Sequence, residues 1–335
     1  MKLFFIIIFS VITTTSYCQI FKQKTIETDS STIKIRKNGK YYEISEKSKT
    51  TGLTHEKDFF VKDSILYREG WGDSTRAQFG IWKTYNNKGK WLNSIDYSNN
   101  TWEYNKALYP FSDLQENAKI KGDSLIIQTY GKEFFEKHIG WNILFGPSII
   151  FKNNHILGDW TEPVKEKPLG YKMQYDVRFD GRNYLWLIQF ALDSNGKLIP
   201  DRYTSGFEKL PGSSPQVFTL THKDALIKAE QNGLVKTDSS EIEGLLRFDF
   251  FNRSELFSGQ FQYYITQRLR SKRTDGSDKD TYIITNYYFV WIFNPWTGEF
   301  INHKEMKRIE IRRSGPHTMD CFTDLIDLED PGYCY

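Results

Sequence analysis

Cysteine is scarce in this chain: three in 335 residues, at Cys18, Cys321 and Cys334. No C-x-x-C pair occurs and the thiols are too few for a cysteine-based zinc site, so neither redox catalysis nor structural zinc is expected. Long apolar runs are missing beyond the N-terminus, which excludes a membrane-spanning helix in the body of the chain. An excess of one charge is missing as well. Formal charge is +3, falling to +2 without Lys2, which argues neither for nor against a polyanionic partner. Catalytic signatures are equally sparse. No two of the six histidines (His55, His138, His155, His222, His303 and His317) lie four apart, so the helix-borne pair of H-E-x-x-H metalloproteases is absent. There is no G-x-S-x-G elbow and no P-loop. Ser314, His317 and Asp320 could be drawn together as a Ser–His–Asp set, but such a set is defined by geometry, not by nearness in sequence. Paired carboxylates for glycoside hydrolysis are likewise a spatial matter, and no pair stands out. The expectation is a non-enzymatic protein without catalytic residues, cofactor or metal.

What is present begins with "MKLFFIIIFSVITTTSYCQ". Lys2, an apolar run from Leu3 to about Ile12, and Ser16 and Cys18 before Gln19 have the layout of a cleaved export signal. Residues 1–18 are therefore expected to be removed before Gln19, leaving a secreted or periplasmic chain. Lipid anchoring at Cys18 is the lesser reading, because bulky Tyr17 stands where lipoprotein signals carry a small residue. In an oxidising compartment Cys321 and Cys334 are expected to form a disulfide that closes the C-terminal tail, worth about 3 kcal/mol in the chain-entropy model.

Aromatic residues make up 16% of the chain, a composition that favours strands. Trp82, Trp186 and Trp291 stand 104 and 105 residues apart, each followed by a polar turn carrying Gly89, Gly196 or Gly298 and then a charged residue. All three read as β-hairpins. Further hairpin turns are predicted at Asn38-Gly39 and Asp180-Gly181. Helices are predicted after Ser112, whose partner Gln115 completes a capping box; after Asp123-Ser124; and after Thr221, with Gly233 at its end. These signals predict an α+β fold: antiparallel β-meanders with helices packed on one face, preceded by a β-rich N-terminal region. The expected divisions are a β-rich region at 19–104, a central α+β module at 105–208, a linker at 209–215 and a C-terminal α+β module at 216–335.

Ala225, Ala229, Gly233, Trp291, Ile292, Thr297, Gly298, Glu299 and Ile301 match the helix–strand–turn pattern of PepSY-like domains, which the C-terminal module resembles over about a third of the chain. Its long strand before Trp291 and its extended tail depart from that pattern. The central module, with "YGKEFF" and "DSNGKLI", resembles a more distant relative and is also similar to immunity-type domains of the nuclear transport factor fold. Gly80–Tyr97 resembles a MORN-type repeat. PepSY-like modules are exported, cystatin-like units, so the resemblance implies inhibitory or protein-binding roles, without catalytic residues.

Strict alternation along "QRLRSKR" puts Arg268, Arg270 and Lys272 on one sheet face, followed by Arg273, with Lys307, Arg308, Arg312 and Arg313 expected nearby. Such a face suits an acidic protein surface or an anionic glycan. It equally suits a charged, protected strand edge. Tyr287, Phe289, Trp291 and Phe293 alternate onto one face and are expected in the core, whereas Trp296, in the turn, is expected to be exposed as a partner contact. Asp275, Asp278 and Asp280, and Asp324, Asp327, Glu329 and Asp330, offer oxygen ligands without the spacing of a calcium loop. The expected partner is an envelope or extracellular protein, with an anionic glycan as a second class and nucleic acid excluded by export. A carbohydrate-binding or carbohydrate-cleaving role is the alternative.

Overall fold

A computed structural model describes residues 23–38, 41–73, 77–99, 101–141, 148–150, 164, 166–199, 204–208, 217–237, 241–250, 259–275, 281–313 and 321–331. The signal segment, Gly39, the 209–215 linker, His155, Asp278, Asp280, the Ser314–His317–Asp320 set, Cys334 and the side chains of Trp186 and Cys321 lie outside them. The chain divides into two compact units, residues 1–112 with 158–165 and residues 113–157 with 166–335.

The first unit is an antiparallel meander: β1 (Gln23–Glu27), β2 (Ser31–Asn38), β3 (Tyr41–Ser48), β4 (Thr54–Phe60), β5 (Leu66–Gly72), β6 (Gln78–Tyr85), β7 (Trp91–Asp96) and β8 (Thr101–Tyr104) pair in sequence order. Cross-strand aromatic pairs hold it. Tyr41 stacks on Tyr67 at 4.6 Å and His55 on Trp71 at 4.6 Å. Trp82 is buried across Gly70, and its indole N–H donates to the Trp71 carbonyl at 2.8 Å.

The second unit opens with helices α1 (Ser112–Tyr130) and α2 (Lys132–His138), broken at Gly131. The two helices expected before residue 139 thus divide at Gly131, and α1 runs straight through Asp123-Ser124. A sheet follows, made of β9 (Ile139–Trp141), β10 (Ser148–Ile150), β11 (Gly170–Phe179), β12 (Arg182–Asp193) and β13 (Leu198–Ile199). Helix α3 (His222–Gln231) leads into a second sheet: β14 (Ile242–Phe250), β15 (Gly259–Asp275), β16 (Thr281–Phe293), β17 (Phe300–Arg313), β18 (Cys321–Phe322) and β19 (Ile326–Asp327). Thr221 caps α3, its Oγ1 accepting from Asp224 N at 3.1 Å.

The three tryptophan-led hairpins share one device. Asn86, Asp193 and Asn294 each accept two backbone N–H groups of their own turn through Oδ1. The turn glycines Gly89, Gly196 and Gly298 adopt φ of 73°, 82° and 71°.

The expected α+β class needs correction. Of the described residues 56% are in strands and 15% in three helices, a β-rich fold. The helix signals are real, and Ile126, Tyr130, Phe134, Ala225 and Ala229 are buried, but strands supply most of the core. Aromatic side chains from the two sheets meet directly: Phe179 stacks on Tyr263 at 4.2 Å, and Phe218 bridges Phe179 and Phe261 at 5.6 Å each. Residues with this much area bury it sheet on sheet, and the helices close only part of each face.

Candidate interaction surface

Strand β15 changes character along its length. Phe261 to Thr266 are buried, whereas every residue from Arg268 to Asp275 is exposed. Pairing explains the change. β14 covers the outer edge of β15 only as far as Ile242↔Gln267, with Arg268 N donating to the Glu241 carbonyl just beyond. The inner edge stays paired with β16 as far as Asp275↔Tyr282.

The cations on this segment do not share a face as strict alternation predicts. A β-bulge at Leu269 puts Arg268 opposite Tyr288 and Arg270 opposite the adjacent Tyr287. Directly opposed residues point to the same side, and neighbours on β16 point to opposite sides. Arg270 and Lys272 therefore lie on the face of Thr285 and Tyr287, and Arg268 and Arg273 on the other. One extra residue inverts the parity of everything beyond it. The basic surface is thus a rim that presents cations on both sides of one strand edge.

The partners of these cations separate them further. On β17, Lys304 pairs with Asp327 at 2.6 Å, Lys307 donates to the Leu328 carbonyl at 2.6 Å, and Arg312 pairs with Glu310 at 2.6 Å, so these three hold the tail or a strand neighbour. Arg308 is half-buried, and its Nε makes no hydrogen bond among the described residues. The side chain of Arg313 lies outside the described residues. On β15, Arg268 pairs with Glu241, and Arg273 lies 3.4 Å from Asp275 with both side chains mostly in solvent. Among the described residues Arg270 and Lys272 have no carboxylate in ion-pair reach, and Arg270 lies over the Tyr287 ring at 4.5 Å. Exposed pairs such as Arg273–Asp275 are worth at most about 1 kcal/mol and exchange readily.

No family model, no curated protein and no solved structure matches the chain. Among the described residues no helix is long and apolar enough to cross a membrane.

Trp296 is not an exposed contact. It is 9% exposed and packs against Tyr130, Phe134 and Phe218 at ring distances of 5.8, 5.2 and 4.4 Å. Its turn folds inward because the indole N–H has a buried acceptor: Glu208 receives it at 3.0 Å and the Phe261 amide at 2.6 Å. Sequence reasoning missed Glu208, and "GFEKL" carries no sign that its carboxylate is buried. Tyr130 completes the cluster, accepting from Glu208 N at 2.8 Å and donating to the Gly206 carbonyl at 2.5 Å. Burial pushes the Glu208 carboxyl up to about 7, against the N–H donors that favour its ionised form. Such a carboxyl could serve as a proton donor or acceptor, yet here both oxygens are engaged by structural N–H groups in an aromatic shell.

The other candidates stay apart. Among the described residues no three or more His, Cys, Asp or Glu side chains are grouped so as to hold a metal ion. A cleft of about 460 Å³ between the second sheet and the tail is lined by Arg247, Asp249, Tyr264, Lys304, Asp324 and Asp327. Its polar groups serve one another: Tyr264 donates to Asp249, and Arg247 donates to the Leu325 carbonyl at 2.5 Å and lies 3.6 Å from Asp324. His138 and His222 are tied to the Arg178 carbonyl and the Tyr263 hydroxyl, and burial lowers the pKa of each.

Proposed function

We propose that the chain is an exported, non-enzymatic envelope protein that binds an acidic protein partner through the exposed cations of β15, in an inhibitory or immunity-type role. One observation carries this reading: among the described residues Arg270 and Lys272 stand in solvent without a carboxylate partner, while Lys304, Lys307 and Arg312 of β17 are engaged within the molecule. An unneutralised pair of cations, flanked by the weakly held Arg268 and Arg273, attracts acidic surfaces and raises their rate of encounter. The sequence layout of an export signal supports the compartment. The carbohydrate alternative has less support, since the carboxylates around the cleft are occupied by Tyr264, Arg247 and Lys304.

The test is capture from envelope extract with residues 19–335 as bait beside an Arg270→Glu/Lys272→Glu bait. A protein retained by the first and lost by the second, with unchanged far-UV circular dichroism, is the expected result. Equal retention by both baits contradicts it.

A further inference from the structure

We propose that the outer edge of β15 from Leu269 to Arg273 takes an acidic, extended segment of the partner as an added β-strand. This rests on the reading above and specifies how the acidic partner is held. β14 stops at Ile242 and Glu241 still accepts from Arg268 N, so beyond Arg268 the outward backbone groups of β15 meet no strand among the described residues, although the inner edge remains paired through Asp275. The open stretch, Leu269 to Asp275, is longer than a mean strand of about 5–6 residues. It is therefore long enough to be paired along its length by an incoming segment. An open edge of this kind is a template for another chain.

Charge decides which chain. A second copy offering the same edge would bring Arg268, Arg270, Lys272 and Arg273 against their own counterparts, and like charges opposed across strands repel. A segment rich in Asp and Glu meets the opposite condition. The bulge at Leu269 adds a further requirement. With Arg270 and Lys272 on one face and Arg268 and Arg273 on the other, a strand with carboxylates on alternate residues would reach only half of them. Consecutive acidic residues, pointing to both faces, would reach all four. Glu241 already pairs with Arg268 and Asp275 lies beside Arg273, so the strongest attraction falls on Arg270 and Lys272 between them. Main-chain hydrogen bonds would supply affinity and the cations the choice of sequence.

The test is binding of synthetic peptides to residues 19–335, measured by isothermal titration. The probe is a Glu-rich peptide spanning the open edge, with glutamates in adjacent pairs separated by Thr and Val. Its control carries the same sequence with alternate backbone amides N-methylated, which keeps the charge and removes one edge of main-chain donors. The expected result is that the control binds at least about tenfold more weakly. The Arg270→Glu/Lys272→Glu variant should lose the probe, and the outward-facing amides between Leu269 and Arg273, alternate ones along the strand, should gain protection from hydrogen exchange when the probe binds. Equal affinity for the two peptides overturns the added strand and leaves the charge-based reading standing. Failure to bind the probe, with the captured protein still retained in a charge-dependent way, also overturns it. Loss of both would remove the underlying reading as well.

Discussion

Burial forces Trp296 and Glu208 to satisfy each other, because neither an indole N–H nor a carboxylate is tolerated without a partner in an aromatic shell. Trp296→Phe keeps most of the packing but removes the donor, leaving the carboxylate with the Phe261 amide alone. A loss of about 1–3 kcal/mol is expected, read as a lower midpoint in urea at pH 8. The same group sets a pH dependence. The Glu208 carboxyl titrates at about 7 when folded, against an ordinary value of 4.5, so the folded chain holds this proton after the unfolded chain has released it. The stability it contributes is full below pH 4.5 and is lost as pH rises to about 7. Glu208→Gln cannot titrate, so its melting temperature should be flatter than wild type across that window; parallel curves would refute the assignment. None of this was legible beforehand. Trp296 stands in a turn beside Asn, Pro, Thr and Gly, and only the return of residues 130, 134 and 218 to the same place buries it.

At the scale of elements, turns were legible and parity was not. Asn86, Asp193 and Asn294 act within their own turns, so local sequence suffices to reveal them. The bulge at Leu269 carries no comparable mark: "QRLRSK" reads as unbroken alternation, and the slip comes from matching two long strands whose buried ends are already locked. Helix α1 shows a similar limit. Asp123-Ser124 reads as the start of a second helix, yet α1 continues through it, and at the preceding Gly122 the helix lies close to β11. A Cβ at Gly122 would stand 2.6 Å from the Tyr175 hydroxyl and 3.0 Å from Met173 Cε. Alanine normally gains about 1 kcal/mol over glycine inside a helix. Here the crowding outweighs that gain, since overpacking costs about 1–3 kcal/mol and Tyr175 is held by its bond to Asp123. Gly122→Ala should therefore lower stability in chemical denaturation, whereas an increase would show that Tyr175 moves aside freely.

At the scale of the whole molecule, composition pointed correctly to strands but not to how they are covered. The chain has enough Phe, Tyr and Trp for the sheets of its second unit to bury each other, and this makes the fold β-rich where helix signals suggested an α+β class. Net charge is equally uninformative, because +3 spread over 335 residues conceals four exposed cations along one strand edge. Attraction between such an edge and an acidic partner is screened by salt, with a range of about 8 Å at physiological ionic strength. The most direct measurement is the affinity of the captured partner for residues 19–335 and for the Arg270→Glu/Lys272→Glu variant, each at low and high salt. A loss of at least about tenfold on charge reversal is expected at low salt, narrowing as salt is raised. Equal affinity of both chains at low salt would contradict it.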